Sequence, residues 1–93
     1  MDSIIQKENC CFVCGETKNL HTHHIFFGTA KRQLSEKYGL TIRLCVWHHT
    51  SSMGIHHNKE MDDDIKAMAQ TKAMNYYGWN LDEWMKIFRR NYL

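Results

Sequence analysis

The chain has 93 residues, 43% hydrophobic and 24% charged, with a formal net charge of +2. That length holds a single domain, residues 1–93, and the composition excludes a disordered or low-complexity protein. An imbalance of 12 basic against 10 acidic residues does not by itself assign a nucleic-acid partner, whereas four Cys and seven His in so short a chain call for an explanation.

Residues 1–9 form a polar lead with little periodicity, expected to fray or to make a single turn. Cys11-Phe12-Val13-Cys14-Gly15 then sets two thiols at a two-residue spacing, ahead of a glycine able to take the left-handed conformation of a tight turn. Leu20 to Phe27 and Leu40 to Cys45 are short apolar stretches punctuated by glycine and predict two strands. Between them, Thr29 to Tyr38 is rich in Lys, Arg, Gln and Ser and reads as a loop with one helical turn. Cys45-Val46-Trp47-His48 repeats the knuckle spacing with an imidazole in place of the last thiol. Cys10 reads as a spare thiol. Met61, Ile65, Met68, Ala69 and Ala73 recur at helical spacing and predict an amphipathic helix ending at Gly78. Its first turns carry Glu60, Asp62, Asp63 and Asp64, expected as a solvated face favoured by the helix dipole. Asn80 and Glu83 carry the capping-box pattern of a second, short helix whose apolar side is Leu81, Trp84, Met85, Ile87 and Phe88. Trp47, Trp79 and Trp84 are assigned to the core. No apolar run reaches the roughly 18 residues of a membrane span, and no leader pattern opens the chain, so the expected location is the cytoplasm.

Disulfides are rare in that compartment, and Cys11, Cys14, Cys45 and His48 together form a closed donor set for a structural Zn²⁺. Such an ion is worth roughly 10 to 16 kcal/mol in small zinc domains, more than a core of this size supplies, so the middle section is expected to fold only with it. Clasping the two knuckles also draws His23 and His24 toward His49. Neighbouring strand residues face opposite sides, so His23 and His24 can share a site only near a strand end, which Gly28 provides. His49 and His56 would lie about 10.5 Å apart along one continuous helix, too far to share one ion, and Ser51-Ser52-Met53-Gly54 is where the chain can bend to bring them closer.

Cys11-x-x-Cys14, Leu20-x-x-His23-His24-Ile25, Leu44-Cys45-x-x-His48-His49 and the later His56 resemble the HNH endonucleases, over about residues 10–58. The His-His ending and Gly54-Ile55-His56-His57-Asn58 look most similar to small phage proteins of the Ref-like, RecA-dependent nuclease group. This resemblance implies an α+β fold: a zinc-stapled ββα-metal core over 10–58, then one long and one short C-terminal helix over 59–93. It implies metal-dependent hydrolysis of DNA phosphodiesters with low sequence specificity, in the cytoplasm of an infected or lysogenic bacterial host. His24 matches the general base. His23 and His49 match ligands of the catalytic metal, and His56 could complete the set. Leu40 and Thr41 stand where the family's middle asparagine usually precedes the second knuckle, and Asn58 is the candidate replacement, orienting His24 or reaching the metal.

An imidazole-rich site suits Zn²⁺, Ni²⁺ or Mn²⁺ better than Mg²⁺, and the second divalent cation is left open among these. Lys31, Arg32 and Lys37 in the inter-strand loop and Arg43 in the second strand are expected to contact DNA phosphates. With no recognition helix, binding should be strongly salt-dependent and helped by a recombinase filament or another partner protein. The alternative reading is a non-catalytic zinc-stapled phage module that binds nucleic acid or a host protein.

Overall fold

The computed structural model describes all 93 residues. Its elements are β1 (Leu20–His24), α1 (Lys31–Tyr38), β2 (Thr41–Cys45), α2 (Val46–His49), a 3₁₀ turn (Ile55–His57), α3 (Lys59–Tyr77) and α4 (Leu81–Phe88). This is a small α+β fold. The two strands pair antiparallel, with Leu20 opposite Cys45 and His24 opposite Thr41. That register sets the start of β1 beside the end of β2, where the second knuckle begins. The first knuckle is fastened to the same strand, because the Phe12 N–H donates to the Arg43 carbonyl at 2.7 Å.

Two segments differ from the sequence reading. Thr29 to Tyr38 contains α1, a full eight-residue helix rather than a loop with one turn. Its apolar content is low because part of its buried side is a serine. Ser35 is fully buried, donates to the Phe26 carbonyl at 2.6 Å and accepts from the Phe26 N–H at 3.0 Å. Those bonds satisfy backbone groups that α1 would otherwise bury unpaired. Gly39, at φ +72, closes the helix in the left-handed conformation.

The N-terminal lead is not frayed. Gln6 is buried, accepts from the Arg43 N–H through Oε1 at 2.7 Å and donates through Nε2 to the Cys10 carbonyl at 2.6 Å. The Ile4 N–H reaches the Gly39 carbonyl at 2.9 Å. Ile5 joins the core, so the lead covers the outer edge of β2, which would otherwise present unpaired backbone groups.

The C-terminal section follows its pattern. Asn58 opens α3 by accepting from the Met61 N–H, and Gly78, at φ +70, ends it. The capping box of α4 forms, with the Glu83 N–H to Asn80 Oδ1 at 2.9 Å and the Asn80 N–H to Glu83 Oε1 at 3.2 Å. The acidic first turns of α3 are only partly a solvated face. Asp63 pairs with exposed Lys59 at 2.7 Å, but Asp62 and Lys66 are largely covered and pair at 2.8 Å.

One apolar core runs from Ile5 to Phe88. Trp84 and Phe88 stack at 3.9 Å between ring centroids, and Phe26 packs against both. Trp84 is buried and Trp79 partly so, as expected; Trp47 is not a core residue but is 59% exposed beside the second knuckle. Buried Gln70 ties down the C-terminus, accepting from the Tyr92 N–H at 2.7 Å and donating to Asn91 at 3.0 Å. No helix is long and apolar enough to cross a membrane.

Candidate metal centres

The fold gathers Cys11, Cys14, Cys45 and His48 so that one donor atom of each lies within 4.8 Å of the others. Gly15, at φ +80, turns the first knuckle, and its N–H reaches the Cys11 carbonyl at 2.9 Å. Around a tetrahedral zinc with Zn–S about 2.3 Å and Zn–N about 2.05 Å, the donors stand about 3.8 Å apart for two sulfurs and about 3.6 Å apart for sulfur and nitrogen. The Cys14 and Cys45 sulfurs are 3.8 Å apart, and His48 Nδ1 lies 3.3 Å from Cys45 Sγ and 3.8 Å from Cys11 Sγ. The donors therefore fit a zinc ion in both chemistry and spacing.

Burial would raise the Cys11 thiol, but N–H groups of Cys45, Cys14 and Val13 outweigh it and bring the thiol down to about 6. The N–H of Glu16 favours the Cys14 thiolate, but burial and the sulfurs of Cys11 and Cys45 prevail and hold this thiol above its ordinary value. Three cysteine sulfurs crowd one point with no countercharge of their own, and a divalent cation there would deprotonate them and offset their charge. Cys10 stands outside the group.

A second group takes the next residue after His48 as one of its members. His23, His49 and His56 bring one nitrogen each within 4.8 Å of one another. The bend that a shared site for His49 and His56 requires is present. α2 stops at His49, and Gly54, extended at φ −80 and ψ 176, redirects the chain into the 3₁₀ turn. Buried Ile55 anchors that turn, and His56 Nε2 comes to 3.4 Å from His49 Nε2. His23 is 2% exposed, and its Nε2 is buried with no hydrogen-bond partner. An unpaired buried nitrogen is costly, so this atom is suited to a ligand. Burial, then the neighbouring His49 and His56, pushes His23 down to about 3, and burial followed by His56 and His21 lowers His49. Both imidazoles are thus held neutral, the form that ligates a cation. The three residues fit a divalent ion.

His24 does not join the trio. It ends β1 and faces α1, where its Nε2 lies 2.8 Å from Glu36 Oε2. A cleft of about 220 Å³ nevertheless has His23, His24, His49, His56, Phe27 and Arg32 on its walls. Asn58 takes neither role expected of it at the site: its side-chain oxygen is committed to the α3 cap, 3.0 Å from the Met61 N–H, and His24's partner is Glu36.

Of the four cations expected at phosphates, only Arg32 lines the cleft. Lys31, Arg32 and Lys37 sit on α1 rather than in a loop. Lys31 donates to the Tyr92 hydroxyl at 3.0 Å, Lys37 lies over the Tyr38 ring at 5.3 Å, and Arg43 donates to the Glu8 carbonyl at 3.2 Å.

Three residues near the site were not assigned from sequence. Glu36 partners His24, His21 Nδ1 lies 2.9 Å from His49 Nδ1, and Lys66 Nζ stands 4.2 Å from the centroid of Phe27, a ring on the cleft wall. Only His21 had a readable signal, since the two-residue period of a strand places it on the face of His23.

Comparison with protein-family models, with curated proteins and with solved structures finds no match.

Proposed function

We propose that the protein is a metal-dependent endonuclease of the HNH kind, hydrolysing DNA phosphodiester bonds with little sequence preference. The observation that carries this reading is the cleft in which His24, outside the trio, shares walls with His23, His49 and His56 and with Arg32. A water-activating base, three imidazoles placed to ligate a cation and a phosphate-binding guanidinium are the parts a phosphodiester hydrolase needs within one cavity. The chain order β1, β2, α2, with both knuckles at one end of the sheet, adds support.

The assigned roles follow from position. Glu36 holds His24 through Nε2, which leaves Nδ1 as the nitrogen to take a proton from water. Arg32 pairs with a nonbridging phosphate oxygen and sets the register of the backbone in the cleft. Phe27 packs on the rings of His23 and His56 and limits water beside them. His23, His49 and His56 would hold a divalent cation, which would supply Lewis-acid stabilisation of negative charge on the phosphate and on the leaving 3′ oxygen. The zinc ligands Cys11, Cys14, Cys45 and His48 take no part in the chemistry and fix the position of His49.

Plasmid nicking in the presence of Zn²⁺, Ni²⁺, Mn²⁺ or Mg²⁺ tests the reading. Wild-type protein should nick with at least one of them, leaving 5′ phosphate ends, and His24→Ala should lose at least a hundredfold while keeping its zinc. Equal nicking by both proteins removes His24 from the mechanism. Absence of nicking with every cation favours a binding module.

A further inference from the structure

We propose that His21 is a positioning residue for the second cation site, setting which nitrogen of His49 faces the ion; this rests on reading His23, His49 and His56 as that site. Alternation along β1 places His21 and His23 on one face of the sheet, opposite Leu44 and Ile42 respectively. There His21 meets His49 edge to face, at 5.1 Å between ring centroids and 83° between planes. Their Nδ1 atoms are 2.9 Å apart, a hydrogen-bond distance that requires one proton between them.

The role proposed for His21 requires that proton to be carried by His49. Its Nε2 faces His56 Nε2 at 3.4 Å, inside the candidate site. To ligate a cation there, Nε2 must present a lone pair, so the proton of neutral His49 sits on Nδ1. His21 Nδ1 is then the acceptor, and the His21 proton sits on its Nε2. The reverse assignment puts a proton on His49 Nε2, between it and His56, and closes the site.

His21 is not a fourth ligand, because its Nδ1 meets the nitrogen of His49 that points away from the site. Outer partners of this kind fix the tautomer and ring orientation of a ligating histidine, and removing them typically lowers metal affinity 10- to 100-fold. Since His48 belongs to the Cys-rich group and His49 to the trio, the contact also steadies the ring at the junction of the two centres.

The test uses full-length protein carrying one equivalent of zinc, titrated with further Zn²⁺ by calorimetry. His21→Ala should raise the dissociation constant of the second ion 10- to 100-fold and leave the first ion bound. His21→Asn, whose amide oxygen can accept from His49 Nδ1–H, should restore most of the affinity. Long-range ¹H–¹⁵N spectra of the protein without the second ion should show His49 protonated on Nδ1 in wild type and a mixture of tautomers in His21→Ala. Equal affinity in wild type and His21→Ala, or a His49 protonated on Nε2 in wild type, overturns the role of His21. A wild type that takes no second ion overturns the cation site itself, a result separable from the first because the tautomer is read without that ion.

Discussion

Replacing Gly54 with Ala probes the bend that makes the histidine trio possible. A Cβ built at Gly54 would lie 2.8 Å from the carbonyl carbon and oxygen of His49 and 3.0 Å from the Ser51 carbonyl oxygen. All three are backbone atoms, so no side chain can swing aside. Ordinary contact begins near 3.4 Å, so the loop carrying His56 must retreat by about 0.6 Å from the residue it is meant to face. Overpacking of this kind costs about 1–3 kcal/mol. In a domain of this size 1 kcal/mol corresponds to roughly 4–8 °C, so the melting temperature of the one-zinc protein should fall by at least about 4 °C.

Affinity for a second Zn²⁺ should fall with it, by about tenfold or more, because His49 and His56 would no longer share a point. Gly54 is at negative φ, so the effect is one of contact and not of backbone preference, and Gly54→Ser should behave like Gly54→Ala. Thermal unfolding and calorimetric titration on the same samples provide both readings. An alanine variant that melts and binds like wild type would refute the argument that this close approach builds the site.

Further outcomes follow from the same geometry. Cys14→Ser should lose the tight zinc and the fold together, whereas His49→Ala should keep both and lose only the weaker ion, as read by metal content and circular dichroism. Ser35→Ala should destabilise the protein by about 1–3 kcal/mol in urea unfolding, since it leaves the Phe26 N–H and carbonyl buried without their partner. His23 is held at about 3 against an ordinary 6.5, so the unfolded chain takes up the proton first. Its contribution to stability is complete above about pH 6.5 and is lost as pH falls toward 3, at up to about 1.4 kcal/mol per pH unit. His23→Gln should therefore lose less stability than wild type between pH 6.5 and 4.5, and equal losses would contradict this origin. In DNA-binding anisotropy, Arg32→Ala should reduce the salt slope by about one, while Lys31→Ala, whose amine is engaged with Tyr92, should leave it nearly unchanged.

What the sequence made legible was what depends on spacing. The paired knuckles, the two strands, Gly78 after a 3.6-residue period and the Asn80/Glu83 box are local patterns whose physics needs no knowledge of the rest of the chain. The bend between His49 and His56 was legible as a condition, because along one continuous helix the two imidazoles that the family resemblance assigns to one ion could not meet. The departures arise where tertiary partners decide. α1 hides its inward side behind a serine, and its apolar residues Leu34 and Tyr38 make too sparse a stripe. The polar lead is ordered by Gln6 bonding to β2, a contact invisible to periodicity. Asn58 was assigned to the site through a family pattern, when its place three residues before Met61 is that of a helix cap. Trp47 lies between the two ligands of the second knuckle, Cys45 and His48, and its ring stays exposed. The pairing of His24 with Glu36 depends on how α1 lies across the end of β1, which no local signal gives.

The account turns on two adjacent imidazoles, His48 and His49, serving separate ions. Anomalous diffraction from crystals grown with one equivalent of zinc and then soaked in Mn²⁺ or Ni²⁺ tests this directly. The account predicts a zinc peak enclosed by Cys11, Cys14, Cys45 and His48, and a peak at the soaked metal's absorption edge among His23, His49 and His56. A fully soaked crystal with density only at the cysteines, or with both histidines on one ion, would contradict it.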